Sequence, residues 1–342
     1  MAPQERMTPR LSVVLSFYNE AEVIPELISR LRAVMDKLIS GRDISSYELI
    51  FVNDASTDKS RQILEQLSGD LNDIRILNMS RNFGVSPCVL AGLEYATGSL
   101  MVYMDADLQD PPEVIAEMVK AWEAGNEIDV VHTVRRSRAG ETKVKLAITR
   151  IGYWILKHVA TITLQIEAGD FKLLSRRAVN HLVQLKEKRP YMRGLVSWIG
   201  FNQTSIYYNR EARFAGRTKF LVFSPKVIAN FFSSALIAFS DLPLQFSSWF
   251  GALISITSAI YAFWIVMDFF QGRHIPSWSM PLAILSLLSG VQLFSIGLLG
   301  LYIASIHVES RKRPNFIVES TFGFESSPRP PMEIKNREPA YD

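Results

Sequence analysis

Apolar positions along the first two hundred or so residues follow two rhythms. Short apolar and β-branched runs, LSVVLS at 11–16, ELIFV at 48–52, IRILN at 74–78, LMVYM at 100–104 and DVVHT at 129–133, read as strands. Between the first two, Ile24, Leu27, Ile28, Leu31, Val34, Met35 and Leu38 recur at helical spacing, with Asn19 and Glu22 as an expected capping pair ahead of them. Strands separated by helices predict an α/β domain around a mostly parallel sheet with right-handed crossovers. In such sheets ligands sit at the carboxyl ends of the strands.

The later pattern is different in kind. Leu242 to Met267 and Ile275 to Ile306 carry no Asp, Glu, Lys or Arg, over 26 and 32 residues. About 20 apolar residues suffice to cross a hydrocarbon core as a helix, and neither run has a polar face. Two membrane spans joined by a turn around Gln271 to His274 are therefore expected, ahead of the other reading, a buried hairpin in a soluble bundle. Arg210, Arg213, Arg217, Lys219 and Lys226 precede the first run and Arg311, Lys312 and Arg313 follow the second, whereas the turn holds Arg273 alone. The positive-inside rule then puts both termini in the cytoplasm, and Trp249 and Trp278 lie where interfacial aromatics belong. The 14 uncharged residues between Lys226 and Asp241 are too few to span. They suit a helix lying in the membrane surface, with a core helix of the soluble domain as the alternative. The last 36 residues hold five prolines and predict a largely extended or disordered tail. The expected division is a catalytic domain over 1–218, a juxtamembrane amphipathic segment over 219–245, a transmembrane hairpin over 246–308 and a cytosolic tail over 309–342.

Charge and cysteine content narrow the chemistry. A net charge of +3 over 342 residues gives no argument for nucleic acid as a partner. The single cysteine, Cys88, rules out an internal disulfide framework and a cysteine-based zinc site. MAPQERMTPR at the start lacks the apolar core of a secretion signal.

The polar residues that remain cluster at strand ends. The first strand runs into Phe17, Tyr18, Asn19 and Glu20, the second into Asn53, Asp54, Ser56 and Asp58, and the fourth into Asp105 and Asp107. Asp58, just ahead of KSRQILEQL, suits a helix cap. Asp105 and Asp107 ask for more, because residues i and i+2 of an extended segment project to one side and their carboxylates repel. A divalent cation relieves that repulsion, and oxygen-only ligands suit Mg2+ or Mn2+ completed by water and substrate phosphates. Gln109 stands near enough to add an oxygen, and Pro111 and Pro112 open the next helix. His132, at the end of a strand, reads as structural.

SFYNE at 16–20, VNDASTD at 52–58, SRNFG at 80–84, AGLEYATG at 91–98, DADLQDPPE at 105–113, GDFKLLSRR at 169–177 and RPYMRGLVSWIGF at 189–201 occur in that order ahead of the two apolar runs. In this the chain resembles the polyprenyl-phosphate glycosyltransferases, the inverting family that includes dolichol-phosphate mannose synthases and the bacterial enzymes that glucosylate undecaprenyl phosphate. The resemblance implies a Rossmann-like GT-A fold with a nucleotide-sugar donor. It sets Tyr18, Glu20 and Asp54, beside Phe17, at the nucleobase and ribose, and Asp105, Asp107 and Gln109 at the metal and diphosphate. It sets Arg135, Arg138 and Glu141 toward the acceptor phosphate, and Arg217 and Lys219 in a basic loop closing over both phosphates. Asp170 is implied either as a base or as a positioning residue, and Lys172 stands where many relatives have Arg. Two spans resemble the glucosyl-transferring branch, so UDP-glucose is the first expectation for the donor, ahead of GDP-mannose, UDP-N-acetylglucosamine or a modified pentose. Homo-oligomers through the membrane segment, tetramers among them, are compatible with the resemblance.

Other classes fit the residues less well. A processive polysaccharide synthase would carry a Gln-x-x-Arg-Trp acceptor motif and more spans. A nucleotide-sugar-binding scaffold has little use for an arginine cluster on the acceptor side. A transporter would place ionisable residues inside its spans.

Overall fold

In the computed structural model the description covers residues 8–68, 73–125, 127–135, 168–185, 187–188, 190–211, 253, 260 and 279–324, with part of the side chains of 279–310 left aside. The five runs read as strands are β1 (Arg10–Phe17), β2 (Ser46–Asn53), β3 (Ile74–Met79), β4 (Leu100–Asp105) and β5 (Val130–Arg135). Three further strands, β6 (Ala168–Ser175), β7 (Gln203–Tyr208) and β8 (Val318–Phe322), complete one sheet in the order β7-β5-β6-β4-β1-β2-β3-β8. The pairings β1–β2, β1–β4, β2–β3 and β5–β7 are parallel, while β6 runs against both β4 and β5, and β8 against β3.

Both faces are covered, which is why β1, β2 and β4 are near-continuous apolar runs rather than alternating ones. On one face Leu11, Val13, Leu15 and Phe17 pack with α1 (Ile24–Ser40) and α4 (Val114–Ala124). On the other, Val14, Ile50 and Val52 meet α3 (Val85–Tyr95), and Tyr103 and Leu174 meet α5 (Arg176–Leu182) and α6 (Met192–Trp198). The seven apolar positions read at helical spacing are the buried residues of α1. Its expected side-chain cap is absent: Val23 occupies the cap position without a side-chain bond. Asn19 instead adopts φ 54° and turns its Oδ1 toward the amides of Thr57 and Asp58, at 2.8 and 3.3 Å. Asp58 does cap, accepting from the Ser60 amide at 3.0 Å ahead of α2 (Ser60–Ser68). Pro111 and Pro112 lie just ahead of α4 and supply the carbonyls that start it.

The surface segment and the first expected span lie outside the described residues apart from Leu253 and Ile260. The second uncharged stretch, from Ser279 on where the described residues resume, forms α7 (Ser279–Ser310). Among the described residues no helix is long and apolar enough to cross a membrane. Of the tail, residues 325–342 lie outside the described residues; the stretch Val318–Phe322 is extended and hydrogen-bonded along β3 as the eighth strand, because the open edge of β3 offers unpaired backbone groups.

Candidate active site

The parallel register sets Phe17 beside Asn53 and Ser16 beside Asp105, so the ends of β1, β2 and β4 form one rim, as the sequence suggested. Its residues divide the work unevenly. Phe17 was expected to touch the donor, yet its ring is buried in the core, edge-on to Phe51 at 6.4 Å. As the last residue of β1 it follows the alternation of Leu11, Val13 and Leu15 onto the α1 face. Tyr18 stays partly exposed on the rim, and Glu20 is buried where α1 begins, its carbonyl accepting from Val23 and Ile24. The Asp54 carboxylate is engaged inside the protein, accepting from the amides of Phe83 at 2.6 Å and Gly84 at 3.0 Å, and so ties the end of β2 to the loop after β3.

Asp105 ends β4 and accepts from the Ser16 hydroxyl at 3.3 Å. Burial, then the charges of Asp170, Asp107 and Asp110, raise its carboxyl to about 7. Asp107 follows in a turn where Leu108 takes φ 55° and its Oδ1 accepts from the Gln109 amide at 3.1 Å. Among the described residues no group of three or more His, Cys, Asp or Glu is gathered to hold a metal. The donors fit a Mg2+ or Mn2+ ion all the same. Such ions take one or two carboxylates and leave the rest of the shell to water and phosphate oxygens, and the raised carboxyl of Asp105 among neighbouring acids marks a place where a cation would offset negative charge.

What faces this rim is set by the direction of β6. Running antiparallel to β4 with Lys172 beside Tyr103, it delivers Asp170 to the end where Asp105 lies. Arg193, on α6, grips Asp170 through two bonds of 3.0 and 2.6 Å. Burial opposes ionisation of Asp170, but Arg193, Lys172 and Arg135 outweigh it and hold the carboxyl below its ordinary value. Lys172 is buried beneath, its ammonium lowered to about 8 by burial, with Asp170 opposing that shift and Arg193 adding to it. His132, next in the same row, is fully buried with Nε2 at 2.7 Å from Gln203 Oε1, a structural placement.

Asp110 was not singled out from the sequence, and it is the hub of the charged side. It is buried; the Tyr208 hydroxyl donates to it, and Arg135 and Arg210 each approach it to 3.5 Å. Arg135 Nε also donates to the Tyr208 hydroxyl at 3.2 Å, and the guanidinium lies over Gly169, beside Asp170. The backbone closes the same corner, the Glu211 amide donating to the Gln109 carbonyl at 3.0 Å. Asp110 and Arg193 both stand within stretches quoted above, DADLQDPPE and RPYMRG; only the fold shows which partners they meet. Arg138, Glu141, Arg217 and Lys219 lie outside the described residues.

Comparison with known proteins bears on this arrangement. The profile described as "Glycosyl transferase family 2" matches residues 12–183, from β1 through α5. The uncharacterized glycosyltransferase YkcC of Bacillus subtilis (strain 168) is 40% identical over 316 residues, 92% of this chain and 95% of that protein. The prophage bactoprenol glucosyl transferase homolog of Escherichia coli (strain K12) is 30% identical over 313 residues, 91% of this chain and 98% of its own. The bactoprenol glucosyl transferase of Shigella phage SfV is 31% identical, over 91% of this chain and 98% of that one. Among solved structures, the mannosyltransferase PcManGT from Pyrobaculum calidifontis covers 90% of this chain and 88% of its own at 17% identity and a TM-score of 0.41, too distant to bear on the site. With a Rossmann-like sheet, an acidic rim at its carboxyl edge and relatives that span nearly its whole length, the chain belongs to glycosyltransferase family 2.

Proposed function

We propose that this glycosyltransferase moves a single sugar, with inversion, from a nucleotide-sugar donor to a membrane polyprenyl phosphate such as undecaprenyl phosphate, and that the donor is UDP-glucose. The observation that carries the reading is the antiparallel insertion of β6, which sets the arginine-held Asp170 against Asp105 and the rest of the acidic rim. A rim of carboxylates suits a cation-bound diphosphate, and guanidinium groups beside it suit a second phosphate. Relatives named bactoprenol glucosyl transferases support a polyprenyl acceptor and a glucosyl donor.

The residues divide the chemistry in a way the reaction requires. A phosphomonoester is already anionic at neutral pH, so the nucleophile hardly needs a base. What is needed is orientation of two anionic partners and stabilisation of the departing diphosphate. Asp105 and Asp107, with Gln109, would hold Mg2+ or Mn2+, which supplies Lewis-acid stabilisation of the leaving group. Asp170, held ionised in a two-bond pair, suits positioning of Arg193 better than proton abstraction. Arg135 is aimed by Asp110 and Tyr208 and serves the acceptor phosphate, with Arg138, Arg217 and Lys219 in the same cationic set.

The acceptor's tail stays in the bilayer, and the chain is proposed as an integral protein of the bacterial inner membrane with its catalytic domain and both termini on the cytoplasmic side. The exposed Leu285, Ile296, Leu299, Ile303 and Ile306 of α7 support this, because their spacing sets them along one helical side. The test is incubation of the purified protein with Mn2+ or Mg2+, undecaprenyl phosphate and a panel of radiolabelled nucleotide sugars, counting label in the organic extract. Label from UDP-glucose that disappears with chelator is the expected result. Label from another donor overturns the choice of sugar, and label in long polymers overturns single transfer.

A further inference from the structure

The C-terminal strand belongs to the donor side of the site. The stretch read as an extended tail contains β8, which binds β3 with Ser320 beside Asn78, Thr321 beside Leu77 and Phe322 beside Ile76, after an irregularity at Glu319. The contacts are specific at three levels.

Backbone comes first. The Ile317 carbonyl accepts from the Ser80 amide at 3.0 Å, at the point where β3 gives way to the loop Ser80–Gly84. Asp54 holds the other end of that loop through the amides of Phe83 and Gly84, and Arg81 lies over the Phe83 ring at 4.0 Å. The loop is thus gripped from the C-terminal strand on one side and from β2 on the other.

Side chains then extend the grip across the rim. Ser320 Oγ accepts from Asn78 Nδ2 at 3.1 Å, Asn78 Oδ1 accepts from Asn53 Nδ2 at 2.9 Å, and Asn53 Oδ1 accepts from the Ser56 amide at 2.9 Å. Ser56 Oγ accepts in turn from the Asn19 amide at 3.0 Å. Asn53 and Asn78 are 3% and 2% exposed, so water cannot replace a lost partner there, and a buried amide left unpaired costs free energy. The chain of bonds crosses β8, β3 and β2 and ends on the turn after β1, beside Tyr18 and Glu20.

Anchors at both ends show that the strand is seated rather than laid loosely along an edge. Upstream, Asn315 Nδ2 donates to the Glu187 carbonyl at 2.9 Å, and Glu309 accepts from the Lys188 amide at 2.7 Å. Downstream, Gly323 takes φ 76°, and a Cβ there would lie 2.5 Å from the Ile74 carbonyl oxygen. That turn brings Phe324 edge-on to Tyr95 at 5.5 Å and beneath the Arg75 guanidinium at 5.3 Å.

We infer that Ile317–Phe324 is a positioning element of the nucleotide site: by holding the Ser80–Gly84 loop and the Asn78–Asn53–Ser56 relay, it keeps the rim in the shape that a nucleoside diphosphate binds. Ser320 and the Ile317 carbonyl are the points of contact. The inference rests on the donor reading above, and its test separates the two. Binding of UDP with Mn2+ is measured by calorimetry on the full-length protein in detergent, on a chain ending at Arg313, and on Ser320→Val, which keeps the strand and removes the relay's last acceptor. Donor and acceptor KM values are measured alongside.

Truncation is expected to weaken UDP at least tenfold and to raise donor KM in step while acceptor KM moves less than twofold. A synthetic 314–324 peptide should restore binding. Ser320→Val should weaken UDP severalfold and speed exchange of the Phe83 and Gly84 amides. If the truncated chain does not fold, Ser320→Val decides. Unchanged UDP affinity in a folded variant overturns the inference and leaves the donor reading standing, whereas absence of UDP binding in the full-length protein overturns both.

Discussion

The two halves of the rim solve opposite problems with opposite chemistry. At the ends of β1, β2 and β3 the side chains are mostly neutral: Asn19, Asn53, Ser56 and Asn78 bond to one another and to backbone amides. At the ends of β4, β5, β6 and β7 they are charged, with Asp110 facing Arg135 and Arg210, and Asp170 facing Arg193. Neutral groups that satisfy one another make a cradle that keeps its shape without a ligand. Charges that satisfy one another make a site ready to exchange partners, since an incoming phosphate or cation competes for groups already desolvated. Recognition of a nucleotide suits the first half and transfer between two phosphates the second.

The largest expected effect falls on the acidic pair at the end of β4. On the proposed metal role, Asp105→Ala or Asp107→Ala should lower turnover by at least about a thousandfold, because the carboxylate would hold the cation that stabilises the leaving diphosphate. Binding of uncharged uridine should be nearly unchanged and the fold intact by circular dichroism. Turnover above a tenth of wild type in either variant would remove the metal assignment, and loss of uridine binding would show that the two halves are not independent.

Next comes Arg193. Arg193→Ala should cut kcat on the order of a hundredfold, the scale of one lost charged donor in a desolvated site. Arg193→Lys should recover only part, since a point charge cannot reproduce the two-bond grip on Asp170. Equal activity of the two variants would mean that only charge matters there. A change confined to donor KM would move Arg193 to the neutral half.

How much of this contrast could be read beforehand follows from distance along the chain. The ends of β1 and β2 and the acidic pair were legible because each lies in a short stretch next to a strand with a clear apolar run, as Asn53 and Asp54 follow ELIFV and Asp105 follows LMVYM, whereas Asn78 was read only as part of its strand. The partners on the charged side were not, because they depend on pairing. Nothing local in GDFKLLSRR says that the strand will run backwards between β4 and β5, and only that direction brings Asp170 to Asp105. Asp110 sat in view within DADLQDPPE, but its value lies in Tyr208, nearly a hundred residues on. Phe17 misled for the complementary reason: a residue in a polar motif still obeys the alternation of its strand. The tail's extended stretch was legible, but its pairing was not, because composition does not say which open edge a strand will join, and β3 offers one.

A smaller effect probes whether the charged half is aimed or merely cationic. Asp110→Asn keeps the hydrogen-bonding shape beside Tyr208 and removes the charge that draws in Arg135 and Arg210. Acceptor KM should rise roughly tenfold, the scale for losing a partner that orients a contacting group. Donor KM and UDP affinity should hold within twofold. A matching rise in donor KM would show that Asp110 supports the whole rim rather than one side of it.

The smallest effect concerns stability, and it tests whether the floor beneath the charged half tolerates one more charge. His132 is fully buried beside Lys172, with Gln203 at its Nε2. Burial, then the Lys172 charge, lower its pKa from 6.5 to about 4, with the bond to Gln203 opposing the shift. The folded state therefore disfavours the protonated ring. Its contribution to stability is fully present above the unfolded value near 6.5 and is lost as pH falls toward 4. At about 1.4 kcal/mol per pH unit the loss is on the order of 2 kcal/mol by pH 5. His132→Gln keeps an amide toward Gln203 and cannot titrate, so its melting temperature should fall less steeply between pH 6.5 and 5 than that of wild type. Parallel slopes would mean that the ring takes up its proton without penalty, and that the charged half extends deeper into the sheet than the Asp170–Arg193 pair.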